Sequence, residues 1–86
     1  MIKVYCKENC PQCVEAKALL KQHGYGYEEV RIDEDDNARN FLLSEGHRSV
    51  PQLYVDESLL IEGGYPALKN MTTKQIALRI REVNGN

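Results

Sequence analysis

The sequence lacks the features that mark several classes of protein. Its apolar runs are only a few residues long, far short of the roughly 20 residues of a membrane-spanning helix. It has no excess of positive charge, since 11 Lys and Arg residues stand against 13 Asp and Glu, for a net charge of −2. We therefore expect neither nucleic acid nor a membrane among its partners. Internal repeats and low-complexity segments are also absent, and 86 residues correspond to one domain covering residues 1–86.

Cysteine is scarce as well, with only Cys6, Cys10 and Cys13. Structural disulfide frameworks belong to oxidising compartments and usually contain an even number of cysteines. Residues 1–7 are too short and too charged to be a secretory signal, so the expected location is cytoplasmic. In that reducing compartment, important thiols are more often catalytic or metal-binding than structural.

Changes in the period of the hydrophobic pattern divide the chain into seven elements. The order is strand, helix, strand, helix, strand, strand, helix, over residues 2–6, 13–23, 27–32, 38–45, 52–55, 59–61 and 73–83. In the first helix, the apolar residues Val14, Ala18 and Leu19 recur at helical spacing. Thr72 and Gln75 fit a capping box before the last helix. Between the second strand and the second helix, residues 33–37 predict a solvated loop with N-cap chemistry.

The order of these elements predicts how the strands pair. The first two strands, joined by a helix, should be parallel with a right-handed crossover. The last two strands should form an antiparallel hairpin. The result is an α/β protein with a four-stranded mixed sheet and three main helices, which resembles the minimal thioredoxin-like fold.

The sequence Cys10-Pro11-Gln12-Cys13 lies between the first predicted strand and the first predicted helix. Unpaired N–H groups and the positive dipole end at a helix N-terminus favour a thiolate over a thiol. Cys10, at the N-cap, is therefore the predicted nucleophile, and Cys13, one turn inside the helix, is the predicted resolving thiol. Lys7 adds positive charge close to this motif.

A Cys-x-x-Cys pair can also supply two zinc ligands. The chain has no second such pair, and His23 and His47 are isolated, so the redox interpretation is favoured and no metal site is predicted. Cys6, on the first predicted strand, is interpreted as a core residue. Arg48 is interpreted as a surface arginine or as a charge that faces a partner.

Three segments together resemble bacterial dithiol glutaredoxins, in the same order and with similar spacing. They are residues 5–13 around the cysteine pair, residues 49–55 around Ser49-Val50-Pro51, and residues 62–65 around the Gly63-Gly64 turn. The resemblance covers the chain from about Lys3 to Met71. It implies a thiol–disulfide oxidoreductase that reduces protein disulfides or glutathione mixed disulfides. Glutathione would serve as the reductant, with no bound cofactor.

The resemblance also implies a glutathione site. Pro51 would be cis and face Cys10, and the backbone of Val50 would pair with the cysteinyl part of glutathione. Lys7 would lie near the glycine carboxylate, and the Gly-Gly turn near the γ-glutamyl carboxylate. The implied glutathione contacts are Lys7, Gln12, Val50, Pro51, Gly63, Gly64 and Tyr65, with Arg39 as a further candidate.

Two departures from the glutaredoxin pattern keep alternatives open. Gln12 replaces the usual tyrosine, and Tyr65-Pro66-Ala67 has no carboxylate where glutaredoxins carry one. Gln12 and residues 46–51 resemble the redoxins that donate hydrogen to ribonucleotide reductase and take electrons from thioredoxin reductase. These two proteins are therefore alternative partners to glutathione and other disulfide-containing proteins. A third alternative is a dimer that holds an iron–sulfur cluster through Cys10 and glutathione; Pro11 disfavours it, and a monomer is expected.

Overall fold

A four-stranded mixed sheet forms the centre of the structure, a computed structural model that describes residues 1–84. Its strands β1 (Ile2–Cys6), β2 (Tyr27–Arg31), β3 (Gln52–Val55) and β4 (Ser58–Leu59) lie in the order β2-β1-β3-β4. β1 is parallel to β2 and antiparallel to β3, and β3 is antiparallel to β4. The predicted parallel pair and hairpin are confirmed.

The fourth strand is shorter than predicted, since it ends at Leu59 rather than at Ile61. The Leu60 N–H still donates to the Leu53 carbonyl oxygen at 2.8 Å. One more bond therefore continues the pairing, and Leu60 is buried.

Four helices surround the sheet: α1 (Pro11–Gln22), α2 (Asp36–Ser44), α3 (Gly64–Leu68) and α4 (Thr73–Val83). The three longer helices were predicted. The capping box before α4 is confirmed, with Gln75 N–H donating to Thr72 Oγ1 at 3.1 Å and Thr72 N–H to Gln75 Oε1 at 2.9 Å. Asp35 caps α2, because its carboxylate accepts a hydrogen bond from the Ala38 N–H at 3.1 Å. The short helix α3 was not expected, since five residues are too few to show a helical period.

The inner face of α1 follows its apolar positions only in part. Val14 is 59% exposed and Ala18 is also exposed, whereas Leu19 packs against the core and the buried residues are Cys13, Ala16 and Leu20. These three positions lie at i, i+3 and i+7, on one side of the helix. Two of them, Cys13 and Ala16, have small side chains, so hydrophobic character alone does not identify this face.

Side chains pack on both faces of the sheet. One face buries nine residues against α1, α3 and α4: Ile2, Val4, Ala16, Leu20, Leu53, Val55, Leu60, Leu68 and Ile76. The other face buries Tyr5, Ala38, Leu42 and Tyr54 against α2. Alternation along β1 and β3 explains the division, because successive side chains of a strand point to opposite faces. Within residues 1–84, every helix is too short or too polar to cross a bilayer.

The register of β1 and β3 determines which loops meet. Tyr5, near the end of β1, pairs with Gln52, at the start of β3. Because these strands are antiparallel, the loop that follows β1 and the loop that precedes β3 lie at the same end of the sheet. The first loop leads to Cys10 and the second contains Pro51.

Candidate active site

Cys10 is the N-cap residue of α1, as predicted. Its backbone is extended, with φ −114° and ψ 97°, and its carbonyl oxygen accepts hydrogen bonds from the N–H groups of Cys13 and Val14 at 3.1 and 3.2 Å. Asn9, just before it, has a φ of +57°, the left-handed conformation that asparagine tolerates better than most residues. No acidic residue lies in the first turn of α1 to oppose a negative charge there.

Cys10 and Cys13 form a disulfide, with their Cα atoms 5.2 Å apart. The separation falls within the usual range for disulfides. The Cys13 N–H donates to Cys10 Sγ at 3.2 Å, so a backbone donor of the first turn points at that sulfur. Cys10 is partly exposed, whereas Cys13 is only 1% exposed. A substrate can therefore reach Cys10, and Cys13 is sheltered behind it.

The loop before β3 lies against this disulfide. The Val50–Pro51 peptide bond is cis, which confirms that prediction, and the Val50 carbonyl oxygen lies 3.9 Å from Cys10 Sγ. Gln52, 6% exposed, donates from Nε2 to the Ser49 carbonyl oxygen at 3.0 Å and so ties the loop together. Within residues 1–84 the Val50 N–H has no backbone partner. Val50 is therefore free to pair with an added extended segment.

The Gly63-Gly64 turn packs closely against the cis-proline loop. Both glycines have positive φ, +99° at Gly63 and +63° at Gly64. A Cβ atom on Gly64 would lie 2.8 Å from the Pro51 carbonyl oxygen, closer than such contacts occur. Gly64 is thus required both by its conformation and by the approach of Pro51.

Two grooves flank Cys10 and share Lys7 as a lining residue. The disulfide groove is lined by Lys7, Glu8, Asn9, Cys10, Pro11, Cys13, Val14, Lys17, Glu29 and Arg31. The cationic groove, about 170 Å³ in volume, is lined by Lys7, Ile32, Arg39, Leu42, Leu43, His47, Arg48, Ser49 and Val50. Three predicted glutathione contacts, Lys7, Arg39 and Val50, therefore meet in the cationic groove.

Three other predicted contacts lie elsewhere. Gln12 is exposed on the first turn of α1 and lines neither groove. Tyr65, on α3, packs against the larger core cluster, with Lys69 Nζ 5.9 Å from the centre of its ring. Gly63 lines a neighbouring polar depression together with Glu62, Arg48 and Ser49.

Cys6 is a core residue, as predicted, and its surroundings keep it protonated. Its thiol is 1% exposed and donates to Glu29 Oε2 at 3.3 Å. Burial, followed by the hydrogen bond to Glu29, raises the pKa of Cys6 to about 11. Glu29 also pairs with Lys17 in the wall of the disulfide groove, and this ion pair lowers the pKa of Glu29.

Arg31, which lines the disulfide groove, lies close to three carboxylates. Its Nη2 lies 2.7 Å from Asp33 Oδ2, 3.8 Å from Glu34 and 4.0 Å from Glu8. The hydrogen bonds from Arg31 hold the pKa of Asp33 well below its usual range. Sequence reasoning identified neither the Glu29 pair nor the Arg31 cluster. Lys17 of α1 pairs with Glu29 of β2, twelve positions away, and Glu8 approaches Arg31 from the loop after β1, so these two contacts depend on the fold.

A metal centre would need a cluster of possible ligands among the described residues. Residues 1–84 contain no group of three or more His, Cys, Asp or Glu side chains placed to hold a metal ion.

The sheet order, the disulfide at a helix N-terminus and the cis-proline opposite it define the thioredoxin-like class of proteins. The family model described as glutaredoxin matches residues 2–60, and the chain belongs to the glutaredoxin family.

Relatives agree with this assignment. A probable glutaredoxin of Synechocystis sp. is 40% identical over 58 residues, 65% of this chain and 53% of the relative. Glutaredoxin 3 of Escherichia coli strain K12 is 38% identical over 56 residues, 64% of this chain and 68% of the relative. The glutaredoxin-like protein NrdH of Lactococcus lactis is 33% identical over 57 residues, 66% of this chain and 79% of the relative. The match thus spans about half the length of the Synechocystis protein.

Solved structures agree as well. The crystal structure of the thioredoxin-like protein BC3987 superposes with a TM-score of 0.66 and 33% sequence identity, covering 80% of this chain and 96% of that one. The likeness therefore extends beyond the matched family segment.

Proposed function

We propose that this protein is a thiol–disulfide oxidoreductase that reduces protein disulfides or glutathione mixed disulfides through Cys10 and Cys13. The observation that carries the proposal is the disulfide at the N-terminus of α1, with the Cys13 N–H donating to the Cys10 sulfur at 3.2 Å. A sulfur that accepts a backbone hydrogen bond at a helix N-terminus is stabilised as a thiolate. Its partial exposure makes it accessible to a substrate.

The reaction starts from the reduced dithiol. The Cys10 thiolate attacks one sulfur of the substrate disulfide, which forms a mixed disulfide and releases the other substrate sulfur as a thiolate. The Cys13 thiol loses its proton and attacks Cys10 Sγ, which closes the Cys10–Cys13 disulfide and releases the second substrate thiolate. Two electrons pass from the protein to the substrate, and both released thiolates take protons from solvent. The disulfide form is the oxidised product of this cycle.

Glutathione is the proposed reductant, and the cycle needs no bound cofactor. Two glutathione molecules supply the two electrons and leave as glutathione disulfide. The cationic groove supports this choice, because Lys7 and Arg39 provide positive charge for a carboxylate next to the free backbone of Val50. Val50 would pair with the cysteinyl part of glutathione as one strand pairs with another.

A second candidate is a redoxin that thioredoxin reductase recharges and that donates electrons to ribonucleotide reductase. The resemblance to NrdH of Lactococcus lactis favours it. So does the sequence Tyr65-Pro66-Ala67, which offers no carboxylate for the amino group of glutathione. Tyr65 packs against the core instead of facing either groove.

The test compares two sources of electrons for the same protein. Reduction of a small disulfide is followed by NADPH consumption, with glutathione and glutathione reductase in one assay and thioredoxin reductase in the other. The expected result is turnover with glutathione that Cys10→Ser abolishes. Turnover with thioredoxin reductase alone would replace the first candidate with the second. Turnover with neither reductant would contradict the proposed function.

A further inference from the structure

The two grooves beside Cys10 contain exposed apolar side chains. Four large hydrophobic residues are exposed among residues 1–84: Met1, Val14, Leu43 and Leu78. Val14 lines the disulfide groove, and Leu43, 55% exposed, lines the cationic groove. Two of these four side chains therefore line the grooves described above.

The grooves differ in charge. In the disulfide groove, Lys17 pairs with Glu29 and Arg31 pairs with acidic neighbours. In the cationic groove, Lys7, Arg39 and Arg48 form no ion pair with any carboxylate of residues 1–84, and no carboxylate lines the groove. This positive charge is local, since the whole chain has a net charge of −2.

The lining of the cationic groove is partly apolar. It includes Ile32, which is half-buried, Leu42, which is buried, and Leu43, which is exposed. His47, also in the lining, has its Nε2 within 2.7 Å of the Tyr54 hydroxyl, so that nitrogen is already engaged. The cationic groove therefore combines basic side chains that form no ion pair within residues 1–84 with apolar side chains that a ligand could contact.

We propose that the cationic groove docks a segment of the substrate protein that has an acidic side chain next to an apolar one. The inference rests on the proposed function and specifies its protein substrates. Val50 lines the groove, and its carbonyl oxygen lies 3.9 Å from Cys10 Sγ. A segment joined to Cys10 through a mixed disulfide and running along Val50 would therefore enter this groove.

The cationic groove offers more contacts than the proposed binding of glutathione uses. Lys7 and Arg39 are sufficient to neutralise the glycine carboxylate of glutathione, and glutathione has no apolar side chain to cover Leu43. Arg48 and Leu43 also line the groove, and glutathione would leave both without a contact of matching chemistry. An acidic residue would neutralise Arg48, and an apolar residue would remove the exposed surface of Leu43 from water.

The first experiment uses three synthetic peptides, each with one cysteine in a mixed disulfide with thionitrobenzoate. The first peptide has Glu and Leu after the cysteine, the second has Lys in place of Glu, and the third has Ser in place of Leu. The release of coloured thiol by the reduced protein gives a second-order rate constant. We expect the Glu-Leu peptide to react about fivefold faster than the Lys peptide at low salt, and the preference to shrink to under about twofold near 0.5 M salt.

Pairs of matched variants test whether the cationic groove causes the difference in rate between the peptides. Arg48→Glu should abolish or invert the ratio between the Glu-Leu and Lys peptides. Arg81→Glu makes the same charge change on an exposed position of α4, outside both grooves, and should leave the ratio unchanged. Leu43→Ser should remove the ratio between the Glu-Leu and Ser peptides, and Leu78→Ser, exposed on α4, should keep it.

The outcomes separate this inference from the proposed function. If wild-type protein reacts with all three peptides at equal rates, the docking proposal is overturned and the oxidoreductase activity stands. Equal effects of Arg48→Glu and Arg81→Glu would also overturn it. If Arg48→Glu slows the reduction of glutathione disulfide as much as that of the Glu-Leu peptide, Arg48 serves glutathione and the docking proposal is wrong. If no peptide reacts and Cys10→Ser changes nothing, the proposed function fails and the inference fails with it.

Discussion

Replacing Gly64 with alanine tests whether the Gly-Gly turn sets the position of the cis-proline loop. Two costs arise at this position. Gly64 has a φ of +63°, a conformation that costs an alanine roughly 1–2 kcal/mol. The new Cβ would also lie 2.8 Å from the Pro51 carbonyl oxygen, so the backbone must move. Overpacking of this kind costs about 1–3 kcal/mol, which gives a total of about 2–5 kcal/mol.

Gly24→Ala is the matched control, because it has the first cost without the second. Gly24 has a φ of +84°, and a Cβ atom added there would have no neighbour within 4 Å. The control should therefore lose only about 1–2 kcal/mol of unfolding free energy. The difference between the two variants, about 1–3 kcal/mol, isolates the contact with Pro51.

Urea unfolding of the two oxidised variants measures this difference. With a slope of about 1–3 kcal/mol per molar urea, we expect Gly64→Ala to unfold at a midpoint about 1 M below that of Gly24→Ala. The disulfide reductase rate per folded molecule should also fall about tenfold or more in Gly64→Ala alone, because the displaced loop carries Val50 away from Cys10. Coincident midpoints together with equal rates would refute the claim that Gly64 positions the loop.

Three further predictions follow from single contacts. Cys13→Ser should leave the first thiol exchange intact but trap a one-to-one mixed disulfide with the substrate, which mass spectrometry detects; rapid release of the substrate would contradict a resolving role. Burial raises the pKa of Cys6 to about 11, so the folded state favours the protonated thiol, and this stabilisation is lost as the pH rises from about 8.5 through about 11. Cys6→Ala should unfold with a weaker pH dependence in that window, and an unchanged pH dependence in urea titrations would argue against the assignment. Thr72→Ala should lower the free energy of unfolding by about 1 kcal/mol through loss of the capping box with Gln75, whereas Lys74→Ala, at an exposed position inside α4, should cost less.

Local sequence signals predicted the elements that a local pattern determines. β1 and β3 were predicted from residues that favour strands. The start of α4 was predicted from Thr72 and Gln75, whose side chains each accept a hydrogen bond from the other residue's backbone N–H. The N-cap position of Cys10 belongs to the same group, because a strand before it and a proline after it leave few conformations open. These features depend on contacts between residues close in sequence, and such contacts can be inferred without the fold.

Features that depend on tertiary packing could not be predicted from the sequence. The buried face of α1 is not evident from its apolar pattern, because the small residues Cys13 and Ala16 are buried while Val14 is exposed. The approach of Gly64 to Pro51 joins residues 13 positions apart, and the bond of Cys6 to Glu29 joins residues 23 positions apart. The cationic groove, likewise, collects its charges from the loop after β1, from α2 and from the loop before β3.

Cys6 and Cys13 show that burial alone does not decide the chemistry of a cysteine. Each is 1% exposed, yet Cys13 forms the disulfide and Cys6 is a free thiol. The difference lies in the groups around each sulfur. Cys6 donates to the carboxylate of Glu29 at 3.3 Å, and a thiolate there would face a negative charge without solvent. Cys13 instead lies in the first turn of α1, where no acidic residue is present, and its sulfur has Cys10 as a partner. One buried sulfur thus lies at a helix N-terminus and bonds to Cys10, while burial and a carboxylate keep the other protonated.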